Sequence, residues 1–132
     1  MSKSILAVDD SGSLRQMVVF SLMAAGYKVT EAIDGQDGLE KAKSQVFDLV
    51  LTDLGMPGMS GIDLAEELLQ IRPDLPIIIT SGFVRADDAR RAKEIGVRDI
   101  VMKPNTVAEM SQLIRDCLDA CKKPAVRSGV PS

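Results

Sequence analysis

Carboxylates, hydroxyls and one amine each stand just after a short apolar segment of this sequence. The residues are Asp9, Asp10, Asp53, Thr80, Ser81 and Lys103. The apolar segments that precede them are residues 5–8, 49–51, 77–79 and 100–102. If these segments are parallel strands of one sheet, their carboxyl ends meet at the same edge. The sequence then delivers three carboxylates, a hydroxyl and an amine to one place.

Such a set of side chains is suited to binding a divalent cation and handling a phosphoryl group. Three carboxylates within a few ångströms repel one another, and Lys103 offsets only one of the negative charges. A hard cation relieves the rest, and all-oxygen ligands favour Mg²⁺ or Mn²⁺. A cation beside a lysine and a hydroxyl stabilises a phosphoryl group in transfer. Asp53 is the natural nucleophile, because aspartyl phosphates are known covalent intermediates.

Five strands alternating with five helices are needed to position these residues. The four apolar segments do not alternate with polar residues, which is typical of parallel strands buried on both faces. Residues 27–30 are more mixed and suit an edge strand. Helical spacing of apolar residues fills the gaps, ending at Gly26, before Pro73 and at Gly96. Two of these helical patterns are Leu39, Ala42 and Val46, and Ala86, Ala89, Ala92 and Ile95. The order predicts an α/β fold, a doubly wound parallel sheet with helices on both faces.

Composition excludes several classes of function. The 132 residues suit one globular domain, with 45% hydrophobic and 27% charged residues. With no histidine in the chain, catalytic triads that use histidine and zinc sites that need histidine ligands are excluded. A net charge of −3 argues against binding nucleic acid by itself. We find no signal peptide and no apolar run of about 20 residues, so we expect a cytoplasmic protein that does not bind membranes by itself.

Taken together, these motifs resemble the receiver domain of response regulators, the CheY-like family of two-component signalling. The matching motifs are Asp9-Asp10, residues 53–61 (Asp-Leu-Gly-Met-Pro-Gly-Met-Ser-Gly), Ser81-Gly82 and Lys103-Pro104. The resemblance covers about residues 3–121 and implies a five-stranded (βα)5 sheet in the flavodoxin-like order 2-1-3-4-5. We expect residues 1–121 to form the receiver domain and residues 122–132 a tail or linker stub.

The resemblance also implies roles for individual residues. Asp53 would accept a phosphoryl group from a phosphohistidine, carried by a sensor histidine kinase or a histidine phosphotransfer protein. The implied ligands of Mg²⁺ (or Mn²⁺) are Asp9, Asp10, Asp53 and the backbone carbonyl of Gly55. Lys103 would pair with a phosphoryl oxygen, and the Lys103–Pro104 peptide is expected to be cis.

The residues alone leave open whether Thr80 or Ser81 supplies the switch hydroxyl. Ser81 is favoured, because it precedes the small residue Gly82 and keeps the family's spacing to Lys103. Thr80 would then point to the other face of the sheet. The aromatic residue that many receivers carry three places before the lysine is Ile100 here. A switch at Ile100 would therefore work without an aromatic rotamer.

We expect no output module after the fifth helix, and no catalytic activity beyond the domain's own phosphorylation and dephosphorylation. The chain would be a stand-alone receiver or the terminal receiver of a hybrid sensor kinase. The sequences of residues 80–83 and 103–107 favour the hybrid sensor kinase. Its downstream target is not evident from the sequence.

Other interpretations are weaker. Asp10 could be a helix N-cap, Asp53 a turn residue and Lys103 a surface lysine, but their joint placement at strand ends argues against this. A haloacid-dehalogenase-type phosphatase needs an aspartate two residues after its nucleophile, where Gly55 stands. A flavodoxin-like module would need aromatic residues, and the chain has three Phe, one Tyr and no Trp. A pseudo-receiver that is not phosphorylated would not need the complete acidic set.

Overall fold

The computed structural model of the chain describes residues 3–102 and 107–122, over which strands and helices alternate. The strands are β1 (Ser4–Val8), β2 (Lys28–Ala32), β3 (Leu49–Asp53), β4 (Ile77–Ser81) and β5 (Asp99–Met102). The helices are α1 (Gly12–Ala24), α2 (Gly35–Ser44), α3 (Gly61–Ile71), α4 (Ala86–Ile95) and α5 (Val107–Lys122). Residues 123–132, most of the predicted tail, lie outside the described part.

The strands form one parallel sheet in the order β2-β1-β3-β4-β5. The chain runs outward from β1 to β2 and then returns past β1 to β3, so the direction of winding reverses between β1 and β3. In a doubly wound sheet this reversal opens a crevice at the carboxyl ends of the two strands. The predicted fold class and strand order are confirmed, and the crevice lies where Asp9, Asp10 and Asp53 leave the sheet.

Helices cover both faces of the sheet, so the central strands are buried on both sides. On one face, side chains from β1, β3 and β4 pack against α2, α3 and α4; they include Leu6, Val50, Ile79, Leu39, Leu64 and Ala92. On the other face, the same strands pack against α1 and α5; these side chains include Ile5, Leu51, Ile78, Leu22 and Ile114. The alternation of side chains along each strand divides the apolar residues between two cores. This explains why the strands read as unbroken apolar segments.

The prediction that the fourth apolar segment is buried on both faces is wrong. In β5, Ile100 and Val101 are only half-buried, and Met102 is 59% exposed. The reason is that β5 is an edge of the sheet and pairs with β4 on one side. The opposite edge strand, β2, has the mixed burial expected of an edge and begins at Lys28, one residue later than predicted.

The helix-ending signals in the sequence act where expected. Gly96 follows α4 with φ 102°, a left-handed conformation that glycine adopts without strain, and its N–H donates to the carbonyl of Ala92. α3 ends at Ile71, before Pro73. Among the helices described, none is both long enough and apolar enough to cross a membrane.

Two helical patterns were placed wrongly. Val46 is 75% exposed and lies beyond α2, because the backbone is already extended at the C-cap residue Gln45. Ala86 begins α4 but is exposed, and Ala92 is the buried alanine of that helix. Small residues at helical spacing therefore indicated the helix but not the width of its buried face.

Candidate functional site

Three carboxylates converge where β1 and β3 end. Val8 pairs with Thr52 across these neighbouring strands, so the next residues, Asp9 and Asp53, lie side by side at the carboxyl ends of the strands. Asp10 follows Asp9 directly. One oxygen from each carboxylate lies within 4.8 Å of the other two. Asp9 and Asp53 are buried, at 8% and 6% exposure, whereas Asp10 is exposed. The predicted convergence of these side chains is present in the fold.

This arrangement fits a divalent cation. Carboxylate oxygens are hard donors, and Mg²⁺ binds such oxygens at about 2.0–2.1 Å, which puts opposite ligands about 4 Å apart. Adjacent ligands of an octahedral ion are about 3 Å apart, so three oxygens within 4.8 Å of one another can surround such an ion after they move inward. Two of the three carboxylates are buried, and concentrating negative charge away from water is costly unless cations offset it. Asp9, Asp10 and Asp53 are therefore the residues that could hold the ion.

The loop after Asp53 is anchored by the start of α3. Ser60 caps this helix by accepting a hydrogen bond from the N–H of Asp63, whose carboxylate accepts one in return from the N–H of Ser60. The N–H of Gly61 donates to the carbonyl of Leu54 at 2.9 Å. Gly61 lies so close to the backbone of Asp53 that a Cβ there would collide with the Asp53 carbonyl oxygen. The loop that contains Gly55 is thus held between β3 and α3, and Gly55 itself is exposed.

The two candidate hydroxyls have different surroundings. Thr80 pairs with Asp53 in the sheet register, and both residues line a cavity of about 10 Å³ that also contacts Asp9. Because Thr80 lines this cavity beside Asp53, the prediction that it points away from the site is wrong. Ser81 is the last residue of β4 and is buried. Its Oγ donates to the Phe83 carbonyl at 2.8 Å and accepts from the Phe83 N–H at 3.2 Å. Ser81 is therefore tied to the backbone of the loop that leads to α4.

Sequence reasoning missed two residues at this site, Arg15 and Glu31. One guanidinium nitrogen of Arg15, Nη1, donates to the carbonyl oxygen of Asp9 at 2.6 Å, and Nε donates to the Glu31 carboxylate at 3.1 Å. Arg15 also lines the small cavity beside Asp53. The available signal was that Arg15 is the single charged residue in α1. A single charged residue on an otherwise uncharged helix can indicate a specific contact, and Arg15 makes one with the Asp9 carbonyl.

A further set of polar contacts connects Glu31 with α2. Lys41 Nζ donates to the backbone carbonyl of Glu31 at 2.5 Å and to the Asp37 carboxylate at 3.1 Å. Asp37 also accepts from the N–H of Ile33 at 3.0 Å. The Ile33 hydrogen bond is the main reason that the pKa of Asp37 lies below its ordinary value. Burial opposes this effect, and the hydrogen bond and charge of Lys41 add to it. The end of β2 is thereby fixed to α2.

Of the remaining predicted site residues, Ile100 lies on the edge strand β5. Ile100 is half-buried and packs against the core on the α2–α3–α4 face. Lys103 and Pro104 lie outside the described residues, so the predicted lysine contact and the cis peptide stay predictions.

The chain is similar to known receiver proteins in sequence and in structure. The family profile for the response regulator receiver domain matches residues 5–115. The chemotaxis protein CheY of Thermotoga maritima is 36% identical over 105 residues, which cover 79% of this chain and 88% of that protein. Several other curated relatives are longer, and the chain spans only 49–58% of their length.

The fold is also similar to the solved structures of receiver proteins. A CheY-like receiver domain protein from Methanospirillum hungatei JF-1 superposes with a TM-score of 0.87 at 28% identity, covering 92% of this chain and 98% of that one. The response regulator TrrA from Thermotoga maritima, solved in complex with Mg²⁺ and BeF, gives a TM-score of 0.79 at 28% identity, covering 87% and 98% of the two chains. The chain therefore belongs to the response regulator receiver domain family, the phosphoacceptor domains of two-component signal transduction.

Proposed function

We propose that Asp53 is the residue that accepts the phosphoryl group, with Mg²⁺ held by Asp9, Asp10, Asp53 and the carbonyl of Gly55. The observation that carries this proposal is the convergence of three carboxylate oxygens within 4.8 Å of one another at the carboxyl ends of β1 and β3. TrrA, which has the same fold, was crystallised with Mg²⁺ and BeF. Mn²⁺ has similar oxygen-ligand preferences and can substitute.

The donor in this proposal is a phosphohistidine of a sensor histidine kinase or histidine phosphotransfer protein. A carboxylate oxygen of Asp53 forms the new bond to phosphorus, and the bond between phosphorus and the imidazole nitrogen breaks. The imidazole leaves with the electron pair and takes up a proton. Bound Mg²⁺ supplies positive charge to the phosphoryl oxygens. Asp53 attacks as the carboxylate in this step, so no separate base is needed to take a proton from it.

Ser81, Lys103 and Ile100 form the proposed switch. Ser81 is bound to both polar backbone groups of Phe83. If its hydroxyl turns to bind a phosphoryl oxygen, these two hydrogen bonds break and the β4–α4 loop is released. Lys103, which follows β5 in the sequence, would bind a second phosphoryl oxygen. Ile100 lies on β5, directly beside β4, where it pairs with Ile79. Movement of the loop would therefore reach the exposed edge of the sheet, the proposed binding surface for a downstream protein.

An uncharged surface of α1 beside the site is the proposed docking surface for the donor protein. Phe20 is 73% exposed and Met23 is 60% exposed, and both line an open groove of about 610 Å³. Ser13 and Glu31 line the same groove, and Glu31 is bonded to Arg15 in the acceptor site. Exposed apolar patches of this kind mark protein–protein contacts. Its continuity with the acceptor site favours the protein that brings the phosphohistidine as the partner.

The alternatives have no specific support. A haloacid-dehalogenase-type phosphatase needs an acid/base two residues after the nucleophile, and Gly55 has no side chain to supply it. A pseudo-receiver would not require the buried carboxylates to converge. We propose the receiver domain to be residues 1–121, acting without an enzymatic activity towards other substrates. A cytoplasmic location is proposed because its donors draw their phosphoryl group from ATP.

The test is to treat the protein with acetyl phosphate and with beryllofluoride, each with and without Mg²⁺. We expect the wild type to gain one phosphoryl group by intact mass spectrometry only with Mg²⁺, and Asp53→Asn to gain none. Asp74→Asn is the matched control, because it removes an exposed carboxylate from the turn before β4. Equal labelling of Asp53→Asn and wild type would show that the acceptor is another residue.

A further inference from the structure

The peptide that joins Asp9 to Asp10 has a specific partner in α1. Successive residues of an extended chain point to opposite sides, so two adjacent carboxylates reach one ion only if the backbone between them is turned and held. The carbonyl oxygen of Asp9 belongs to that peptide and accepts the 2.6 Å hydrogen bond from Arg15. The Asp9 carboxylate also accepts from the N–H of Ser11 at 2.9 Å. The backbone at this turn is therefore fixed at two points.

Arg15 is itself held in place by Glu31. Its side chain is only 16% exposed, and its Nε donates to Glu31 at 3.1 Å. Glu31 lies on β2, in register with Ala7 of β1, and its backbone carbonyl accepts from Lys41. The two-pronged guanidinium thus spans from β2 to the end of β1, which a single ammonium group cannot do in the same geometry.

The charge of Arg15 makes this arrangement informative. A cation that lines the same cavity as Asp9 and Asp53 repels a metal ion at those carboxylates. Glu31 offsets that charge while leaving a guanidinium nitrogen free to donate to the Asp9 carbonyl. Removal of Arg15 should therefore raise Mg²⁺ affinity if charge repulsion dominates, and lower it if the position of the Asp9–Asp10 peptide dominates.

We propose that Arg15, clamped by Glu31, is a positioning residue that holds the Asp9–Asp10 peptide so that both carboxylates face one divalent cation. The inference rests on the proposed function of the acidic site. Mutation of a residue that orients a metal ligand typically lowers metal affinity by about 10–100-fold. Loss of the clamp should therefore weaken Mg²⁺ binding by about tenfold or more, even though a repelling positive charge has been removed.

The experiment measures Mg²⁺ affinity by isothermal titration calorimetry for wild type, Arg15→Met and Arg15→Lys. Arg90→Met is the matched control, because it removes the same charge from an exposed ion pair on α4. We expect Arg15→Met to raise the dissociation constant about tenfold, Arg15→Lys to raise it by a smaller factor, and Arg90→Met to leave it unchanged. If Arg15→Met does not fold, Arg15→Lys decides the outcome, since it keeps the charge and loses the fork.

A second readout separates positioning from a merely structural role. The Mg²⁺ concentration needed for half-maximal phosphorylation by acetyl phosphate should rise in Arg15→Met, while the rate at saturating Mg²⁺ stays near that of wild type. Unchanged or tighter Mg²⁺ binding by a folded Arg15→Met, together with normal binding by Arg15→Lys, would overturn the positioning role alone. A wild-type protein that binds no Mg²⁺ would overturn the proposed function and this inference with it.

Discussion

Replacing Gly61 with alanine should destabilise the fold and disturb the acceptor site at once. A Cβ at Gly61 would lie 3.0 Å from Leu54 Cα and 3.1 Å from the Asp53 carbonyl carbon, and closer still to the Asp53 carbonyl oxygen. Ordinary carbon–carbon contacts are about 3.5–4.0 Å, so α3 and the end of β3 must separate by about 0.5 Å or more. Overpacking of this kind costs about 1–3 kcal/mol in the free energy of unfolding.

Helix propensity alone predicts that Gly61→Ala raises the free energy of unfolding, which is the opposite effect. Gly61 begins α3, and glycine-to-alanine changes in compatible backbone conformations usually stabilise by about 0.4–1 kcal/mol. We therefore expect a net destabilisation of about 1–2 kcal/mol for Gly61→Ala. Gly12→Ala is the matched control, because Gly12 begins α1, is exposed, and would place its Cβ no closer than 4.0 Å to another group. This control should be about as stable as wild type or slightly more stable.

The measurement is urea unfolding followed by circular dichroism, with melting temperature as a second probe. A loss of 1 kcal/mol corresponds to about 4 °C for a domain of this size. Mg²⁺ affinity should also fall in Gly61→Ala, because relief of the contact moves the backbone of Asp53. If Gly61→Ala unfolds at the same urea concentration as Gly12→Ala, the close approach of α3 to the acceptor strand does not constrain the site and the reasoning is refuted.

Three further outcomes are expected. Ser81→Ala should still be phosphorylated by acetyl phosphate but should lose the accompanying change in the amide NMR spectrum of the β4–α4 loop. Thr80→Val should keep that spectral change. The reverse result would assign the switch hydroxyl to Thr80. Phe20→Ser should slow phosphotransfer from a phosphohistidine protein while leaving the acetyl phosphate rate unchanged, and equal slowing with both donors would argue against a docking role. Ionised Asp37 stabilises the fold at pH values above about 4, the ordinary aspartate pKa. This contribution is lost as the pH falls through the lowered pKa of Asp37 in the folded state. Asp37→Asn should therefore narrow the difference between urea midpoints measured at neutral pH and at about pH 3, and an unchanged difference would contradict the assigned cause.

Much of the fold could be predicted from the sequence because the signals are local. Unbroken apolar segments indicate strands covered on both faces, and Gly96 and Pro73 mark helix ends by their own backbone restrictions. The errors arose where the outcome depends on neighbours. The apolar residues of β5 predicted a strand buried on both faces, but β5 lies at an edge of the sheet and is only partly buried. Periodicity cannot report how many neighbours a strand has.

For the site, the sequence determined which residue types stand at the ends of strands, and this was enough to predict that Asp9, Asp10 and Asp53 converge. Topology requires it, since parallel strands present their carboxyl ends at one edge. Only the tertiary structure decided what holds them there. The contact of Arg15 with the Asp9 carbonyl, and the packing of Gly61 on the Asp53 backbone, join residues from separate elements. Such contacts depend on how helices settle on the sheet, and the physical forces that fix them act through space and leave no periodic pattern in the sequence.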